Sequence, residues 1–455
     1  MALSASTVWE VRTGGNDTNG GGFTTGAAGT DYSQQNAKNT VGADISTIDG
    51  VGNGTSTFTS ATANFGATIV GNVIYLQGGT GGLAASRYRV TARASTTSIT
   101  LDRNVAAGTG ITMNIGGAVA SLGILGSTTA TILVSGHIIW IEAGTYVVTS
   151  ATPNISDGCF STALSVQIEG YQTVRGDLGT KPLIQSDGTI TTFTLITAGS
   201  LVCKLRNLDL DGNNRTSSRG ITASNALFVY RVIGRNFTNS AFVGTINCAS
   251  FIECMATGCS TQPAFLNCNC YGCVAHTNTV TGFSVIAGTP TVRCISYNNS
   301  GATSDGFVTT VTAGGYFINC VAYGNGRDGF RFPNISGSAI NCIAESNTGI
   351  GFDSSANAGT TFNTCAAFGN TGGDFFLNAA VFTDNRNPIT GVSSFFTNAA
   401  AGDFSLNNTT GAGAVARTFG IPTLFPDGLT TEYLDIGAAQ HQDTGGGGGE
   451  YSTVF

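Results

Sequence analysis

Two aspartates, Asp305 and Asp328, stand 23 residues apart in near-identical contexts, SDGF and RDGF, with Arg327 beside the second. Two carboxylates repeated in this way could serve as acid and base on a glycosidic bond, provided they sit roughly 5 Å or 6.5–9.5 Å apart. An Asp-Gly turn chosen for backbone geometry accounts for the same residues without chemistry. Asp209 and Asp211, in LDLDGNN, are a second candidate pair, and turn and strand geometry suffices there too. The next copies of the first pattern read IGF at Ile350 and GDF at Asp374, and no aromatic-lined acidic cleft surrounds the pair in sequence. The turn is therefore preferred for both pairs.

Sulfur offers a different chemistry. Cys268, Cys270, Cys273 and His276 lie within nine residues, with Cys259 nearby, and tetrahedral zinc takes Cys and His at such short spacings. A local disulfide is the other alternative. Against both, Cys273 belongs to a repeating series that should point inward, whereas His276 falls in a polar turn. His137, His276 and His441 are scattered and read as surface or turn residues. No phosphate loop, nucleophile elbow or HExxH run occurs. A lyase would need a base, commonly with Ca²⁺ held by several carboxylates, and charge is too sparse to assemble that.

The elements that must carry these residues form a repeat. CVAHTNTVTGF from Cys273, CISYNNSGATSDGF from Cys294, CVAYGNGRDGF from Cys320, CIAESNTGIGF from Cys342 and CAAFGNTGGDF from Cys365 are copies of one unit. Cys254, Cys273, Cys294, Cys320, Cys342 and Cys365 are 19, 21, 26, 22 and 23 residues apart, and Phe265, Phe283, Phe307, Phe330, Phe352 and Phe375 keep step with them. A period near 20 residues predicts a solenoid, in which each unit buries its apolar face on its neighbours. Alternation within each copy predicts strands, with Ile318, Cys320 and Ala322 on one phase and Asn319, Val321 and Tyr323 on the other. The cysteines then stack as small, inert hydrophobes. Asn278, Asn299, Asn325, Asn347 and Asn370 should take left-handed corners and bond as a ladder. LDLDGNNRTSSRGI from Leu208 and VIGRNFTNSAF from Val232 are weaker copies.

These repeats resemble the right-handed parallel β-helix, or pectate-lyase-like, superfamily. HIIWIEAGTY, from His137 to Tyr146, is similar to its opening coil, and LDIGAAQ, from Leu434 to Gln440, to its closing motif. The resemblance covers roughly residues 130–440. It implies an all-β fold but no single activity, because the fold hosts lyases, hydrolases, adhesins and inert virion parts. VWEVRTGGNDTNGGGF, from Val8 to Phe23, resembles the entry segment of such proteins, and with DYSQQNA from Asp31 it resembles β-helix proteins carried by bacteriophages. About a hundred residues separate it from His137, with strand-like runs at Val73–Gln77, Tyr88–Thr91 and Ile99–Asp102. A small barrel or sandwich inserted before the coils fits this. The expected division is a β-rich domain over 1–130, a parallel β-helix over 131–395 and a closing segment with an extended tail over 396–455.

Composition narrows the partners. The net charge is −7 with three lysines, Lys38, Lys181 and Lys204, which argues against a general nucleic-acid binder. No run of 18 apolar residues exists to cross a membrane, and MALSASTVWEVR lacks the basic and apolar regions of a signal peptide. The expectation is a non-enzymatic bacteriophage virion protein without cofactor or metal: a surface decoration, spike or fibre subunit. It would pair with other capsid or tail proteins and oligomerise, a homotrimer by resemblance. DTGGGGGEYSTVF from Asp443, through Tyr451, Val454 and Phe455, would pack on another chain. A polysaccharide-degrading β-helix enzyme, including a depolymerising tailspike, and a non-catalytic adhesin for host surface glycan are the alternatives.

Overall fold

The computed structural model describes residues 3–38, 46–124, 133–134, 136–148, 166–187, 194–198, 203–223, 227–244, 249–286, 288–310, 314–333, 337–354, 359–377, 383–417, 419–420 and 435–439. His441 and the tail from Asp443, with its expected anchors, lie outside the described residues. The chain is almost entirely β and divides into two compact units, Met1–Leu210 and Asp211–Phe455.

In the first unit Thr7–Val11 pairs antiparallel with Gly22–Thr24 and parallel with Ile138–Glu142, which in turn pairs with Gln167–Tyr171. The coil stack thus begins at Thr7, earlier than the segment from His137. Between the two strands lies a closed antiparallel barrel of Ser46–Gly52, Thr57–Thr59, Ser98–Leu101, Leu83–Ser95, Val73–Gly78 and Gly108–Ile115. Phe58, Phe65, Ile74, Val90, Ile99 and Met113 fill it. The Gly/Asn-rich stretch after Val11 fastens the barrel to the coil. Arg87 on the barrel donates to the carbonyls of Asp17, Asn19 and Gly20, and Asp17 accepts from the backbone of Ala120 and Ser121 at 2.9 Å.

The second unit contains, among the described residues, three parallel sheets of eight strands each. One coil shows the plan: Tyr316–Ile318, Val321–Tyr323 and Phe330–Arg331 each pair with the corresponding strands before and after. Phe242, Phe265, Phe283, Phe307, Phe330, Phe352 and Phe375 stack face to face with centroids 4.7–5.1 Å apart. That separation matches the strand spacing of roughly 4.8 Å, so ring stacking and backbone pairing reinforce each other. Each buried ring contributes about 1.5–3 kcal/mol by desolvation.

The asparagine column is a directional ladder. Asn278, Asn299, Asn325 and Asn347 each donate from Nδ2 to Oδ1 of the next asparagine at 2.8–2.9 Å. Asn370 ends the run by donating to the Asp374 carboxylate at 2.9 Å, and at the other end the Cys259 amide donates to Asn278 Oδ1 at 2.8 Å. The glycine before each phenylalanine is where this column comes closest to the next coil. A Cβ on Gly329 would meet the Gly351 carbonyl at 2.6 Å and Asn347 Nδ2 at 2.9 Å.

The left-handed corners are not the ladder asparagines. Positive φ of 52–66° falls one residue earlier, at Asn298, Gly324, Ser346 and Gly369, and likewise at Arg293, Asn319, Asn341 and Thr364 before the column cysteines. This corrects the expected phase as well. A left-handed residue reverses side-chain direction without the usual alternation, so Phe317 points inward and Ile318 outward, and Cys320 and Ala322 are again inside. All six column cysteines are fully buried, and the nine cysteines whose side chains are described are free thiols. Burial pushes the thiols of Cys254, Cys294 and Cys342 up, and that of Cys259 up to about 12.

The outer face of the sheet containing Val321–Tyr323 is covered by chain that returns after the last coil. Val274, Ile295, Val321, Ile343 and Ala366 are buried beneath Phe395, Phe396, Phe404, Leu406 and Ile436. Tyr297 packs on Phe404, and Glu345 accepts the Phe395 amide at 2.9 Å under the same cover. Ile436 and Gly437 of the closing motif bond to the carbonyls of Ala416 and Asn341.

His137 is a buried core residue, not a surface one. Its Nδ1 accepts Trp9 Nε1–H at 3.0 Å and its Nε2–H donates to the Ser4 carbonyl at 2.8 Å, which requires the neutral ring. Burial lowers its pKa from 6.5 to about 4. The unfolded chain therefore binds a proton in this window that the folded chain refuses. Stability is fully present above about pH 6.5 and falls as pH drops toward 4, by up to about 3 kcal/mol. Glu10, raised by burial, acts with the opposite sign, so the test is a difference. His137→Gln keeps a donor and an acceptor, and its denaturation free energy should lose the downward slope that the parent shows between pH 6.5 and 4. Equal slopes would refute the assignment.

Candidate functional site

The strand pattern of the repeat brings Asp305 and Asp328 to the same step of adjacent coils, since Phe307 pairs with Phe330 two residues beyond them. The next coil adds Asp353, in register with Arg331. Arg327 and Arg331 complete the cluster. Neither Arg331 nor Asp353 stands out in the sequence, because Asp353 lies three positions further along its own repeat than Asp328. Only strand register places Asp353 beside Arg331.

Asp305 is fully buried and held by a fork of guanidinium groups. Arg327 donates from Nε to Oδ1 at 2.6 Å and from Nη2 to Oδ2, and Arg331 donates from Nε to Oδ2 at 3.1 Å. Asp328 accepts the Ile350 amide at 2.7 Å and lies 3.7 Å from Arg327 Nε. Burial raises the Asp328 pKa above the ordinary carboxylate range, the negative charges of Asp305 and Asp353 add to the effect, and the Ile350 amide and Arg327 oppose it. The Asp305 hydrogen bonds raise Arg327. The side chains of Arg327 and Arg331 remain about 30% and 28% exposed. Each guanidinium carries five N–H donors, and Asp305 uses a minority of them.

The cluster thus holds a carboxyl group inclined to keep its proton, a second carboxylate on the next coil, and two solvent-facing guanidinium groups fixed from behind. Such a set can donate a proton, bind hydroxyl or acidic groups of a ligand, and stabilise developing negative charge. Asp305 itself is a positioning group, since its oxygens are taken up by the arginines.

The other candidates fall elsewhere. Asp209 and Asp211 flank buried Leu210 on one strand. Asp211 accepts the Asn213 amide at 2.8 Å and Asn236 Nδ2 at 3.1 Å, and lies 3.5 Å from Arg235, which is turn and ion-pair work. Cys259, Cys268, Cys270 and Cys273 are inside the coil, whereas the His276 ring lies on the outer face, stacked on Tyr297 at 5.0 Å. The four sulfurs and His276 do not converge.

The sequence matches no protein-family model and no curated protein. Solved structures with a similar coil include the A-module of mannuronan C-5 epimerase AlgE4 from Azotobacter vinelandii, at 14% identity and a TM-score of 0.38 over 56% of this chain and 86% of that one. The catalytic domain of a GH87 alpha-1,3-glucanase follows at 9% identity and 0.32, over 77% and 90%. ORF18 of Geobacillus virus E2 is similar at 12% and 0.30, over 56% of this chain and 52% of that one. These likenesses concern the fold, which is the right-handed parallel β-helix. They also correct the expectation of a non-enzymatic protein: several structures sharing the coil bear the names of polysaccharide-acting enzymes. The physical reason is on the same coils, where the few charged residues are gathered rather than dispersed.

Asp305→Asn would leave two partly buried guanidinium groups without their counter-charge. A loss of about 3 kcal/mol is expected by chemical denaturation, whereas Asp328→Asn, which still accepts the Ile350 amide, should cost under about 1 kcal/mol. Equal effects would show that the fork does not anchor the cluster.

Proposed function

We propose that the chain acts on a polysaccharide, as a depolymerising β-helix protein of the tailspike kind. The observation that carries this is the protonated tendency of Asp328 between two carboxylates and two exposed arginines on three consecutive coils. Asp328 serves as the general acid, delivering its proton to the glycosidic oxygen. Asp353 is the second carboxylate, and Arg327 and Arg331, held by Asp305, orient the sugar through their remaining N–H groups. What supports placement on a bacteriophage particle is the likeness of VWEVRTGGNDTNGGGF to phage-borne β-helix proteins, a likeness of sequence.

Incubation with the surface polysaccharides of candidate bacterial hosts should release new reducing ends or unsaturated sugars. Asp328→Asn should lower the rate by about 10²–10⁴-fold with an unchanged melting temperature. In the parent, activity should fall as pH rises and the Asp328 proton leaves. Turnover that survives Asp328→Asn would remove this residue from the chemistry, and binding without turnover in the parent would mark a glycan-binding adhesin instead.

A further inference from the structure

The barrel and the entry strand of the first unit enclose a second cleft, remote in sequence from the aspartate cluster and independent of the reading above. Its volume is about 310 Å³, at the lower end of what small-molecule sites span. Two of its lining groups have unmet polar capacity. The Thr24 hydroxyl, on a residue 94% buried by its 6% exposure, has no hydrogen-bond partner, and neither has buried Nε of Arg89.

The contrast with neighbouring arginines makes this informative. Arg87 donates to three backbone carbonyls, Arg93 to the Phe65 carbonyl at 2.7 Å, and Arg103 pairs with Asp102. The Arg89 side chain has no such partner among the described residues, and no carboxylate lines the cleft. A guanidinium left without counter-charge beside a buried, unbonded hydroxyl is costly unless something else completes it.

The remaining walls say what fits. The hydroxyls of Ser6 and Thr91 can donate or accept, as a polyol requires, while Ala27 and Val70 offer an apolar patch for the C–H face of a ring. A bare oxoanion would use the guanidinium and leave most of this space empty. We infer that the cleft binds one acidic sugar residue, its carboxylate on Arg89 and a ring hydroxyl on Thr24. The barrel is then a glycan-holding module beside the coils.

The test is an NMR titration of the full chain with sodium glucuronate, with glucose and sodium sulfate as comparators. Glucuronate should bind, and Arg89→Met should weaken it about tenfold or more. Thr24→Val should weaken it severalfold, and Asp328→Asn should leave it unchanged. Arg89→Met should melt with the parent, because the group it loses bonds to nothing in the protein; were it to unfold, Thr24→Val decides alone. The inference is overturned by absence of glucuronate binding, by binding indifferent to both cleft variants, by loss in Asp328→Asn instead, or by sulfate or glucose binding as tightly as glucuronate.

Discussion

Parallel stacking in strict register is the constraint on which the second unit depends. Every coil must present to the next the same residue at the same step, because backbone bonds, phenylalanine rings and asparagine amides all repeat at one spacing. The asparagine ladder makes this most stringent. Each amide both accepts from the coil before and donates to the coil after, so a slip of one residue would strand a buried polar group on two levels at once. The glycines that allow the column to sit so close to the next backbone, and the left-handed residues that turn the chain into it, follow from that requirement.

Register also builds the candidate site. A solenoid converts a separation of some twenty residues into contact, which is why Asp305 and Asp328 meet although no local motif joins them. Asp353 and Arg331 come within range by the same route. With charge so scarce along the chain, one buried carboxylate suffices to fix two arginines, and the second carboxyl group then faces a field of mixed sign that its own burial tips toward the neutral form.

Much of this was legible in the residues. The cysteine, asparagine and phenylalanine columns announced coil, ladder and ring stack, and the long interruption after Phe23 announced an inserted barrel. The failures share a cause: each depended on something that alternation cannot encode. Left-handed Asn319 reversed the phase of Ile318. The valine and isoleucine column looked like an exposed outer face but is covered by returning chain. His137 gave no sign of burial because its partner, Trp9, lies 128 residues away. At the site, the Asp305–Asp328 pairing could be read from spacing, whereas the arginine fork could not.

The barrel interrupts a pair of strands that belong together, Thr7–Val11 and Ile138–Glu142. As a flexible connection, a segment of this length would make their meeting slow, since closure entropy must be met before any contact rewards it. A closed barrel with its own core changes the effective distance. Once Asn72 bridges Phe23 and Val119 bridges Val11, the ends of the insertion are held near the first strand, and what the chain must close is short. The insertion can thus act as an internal scaffold for the first coil, giving the parallel stack a fixed edge on which later coils are laid down in order.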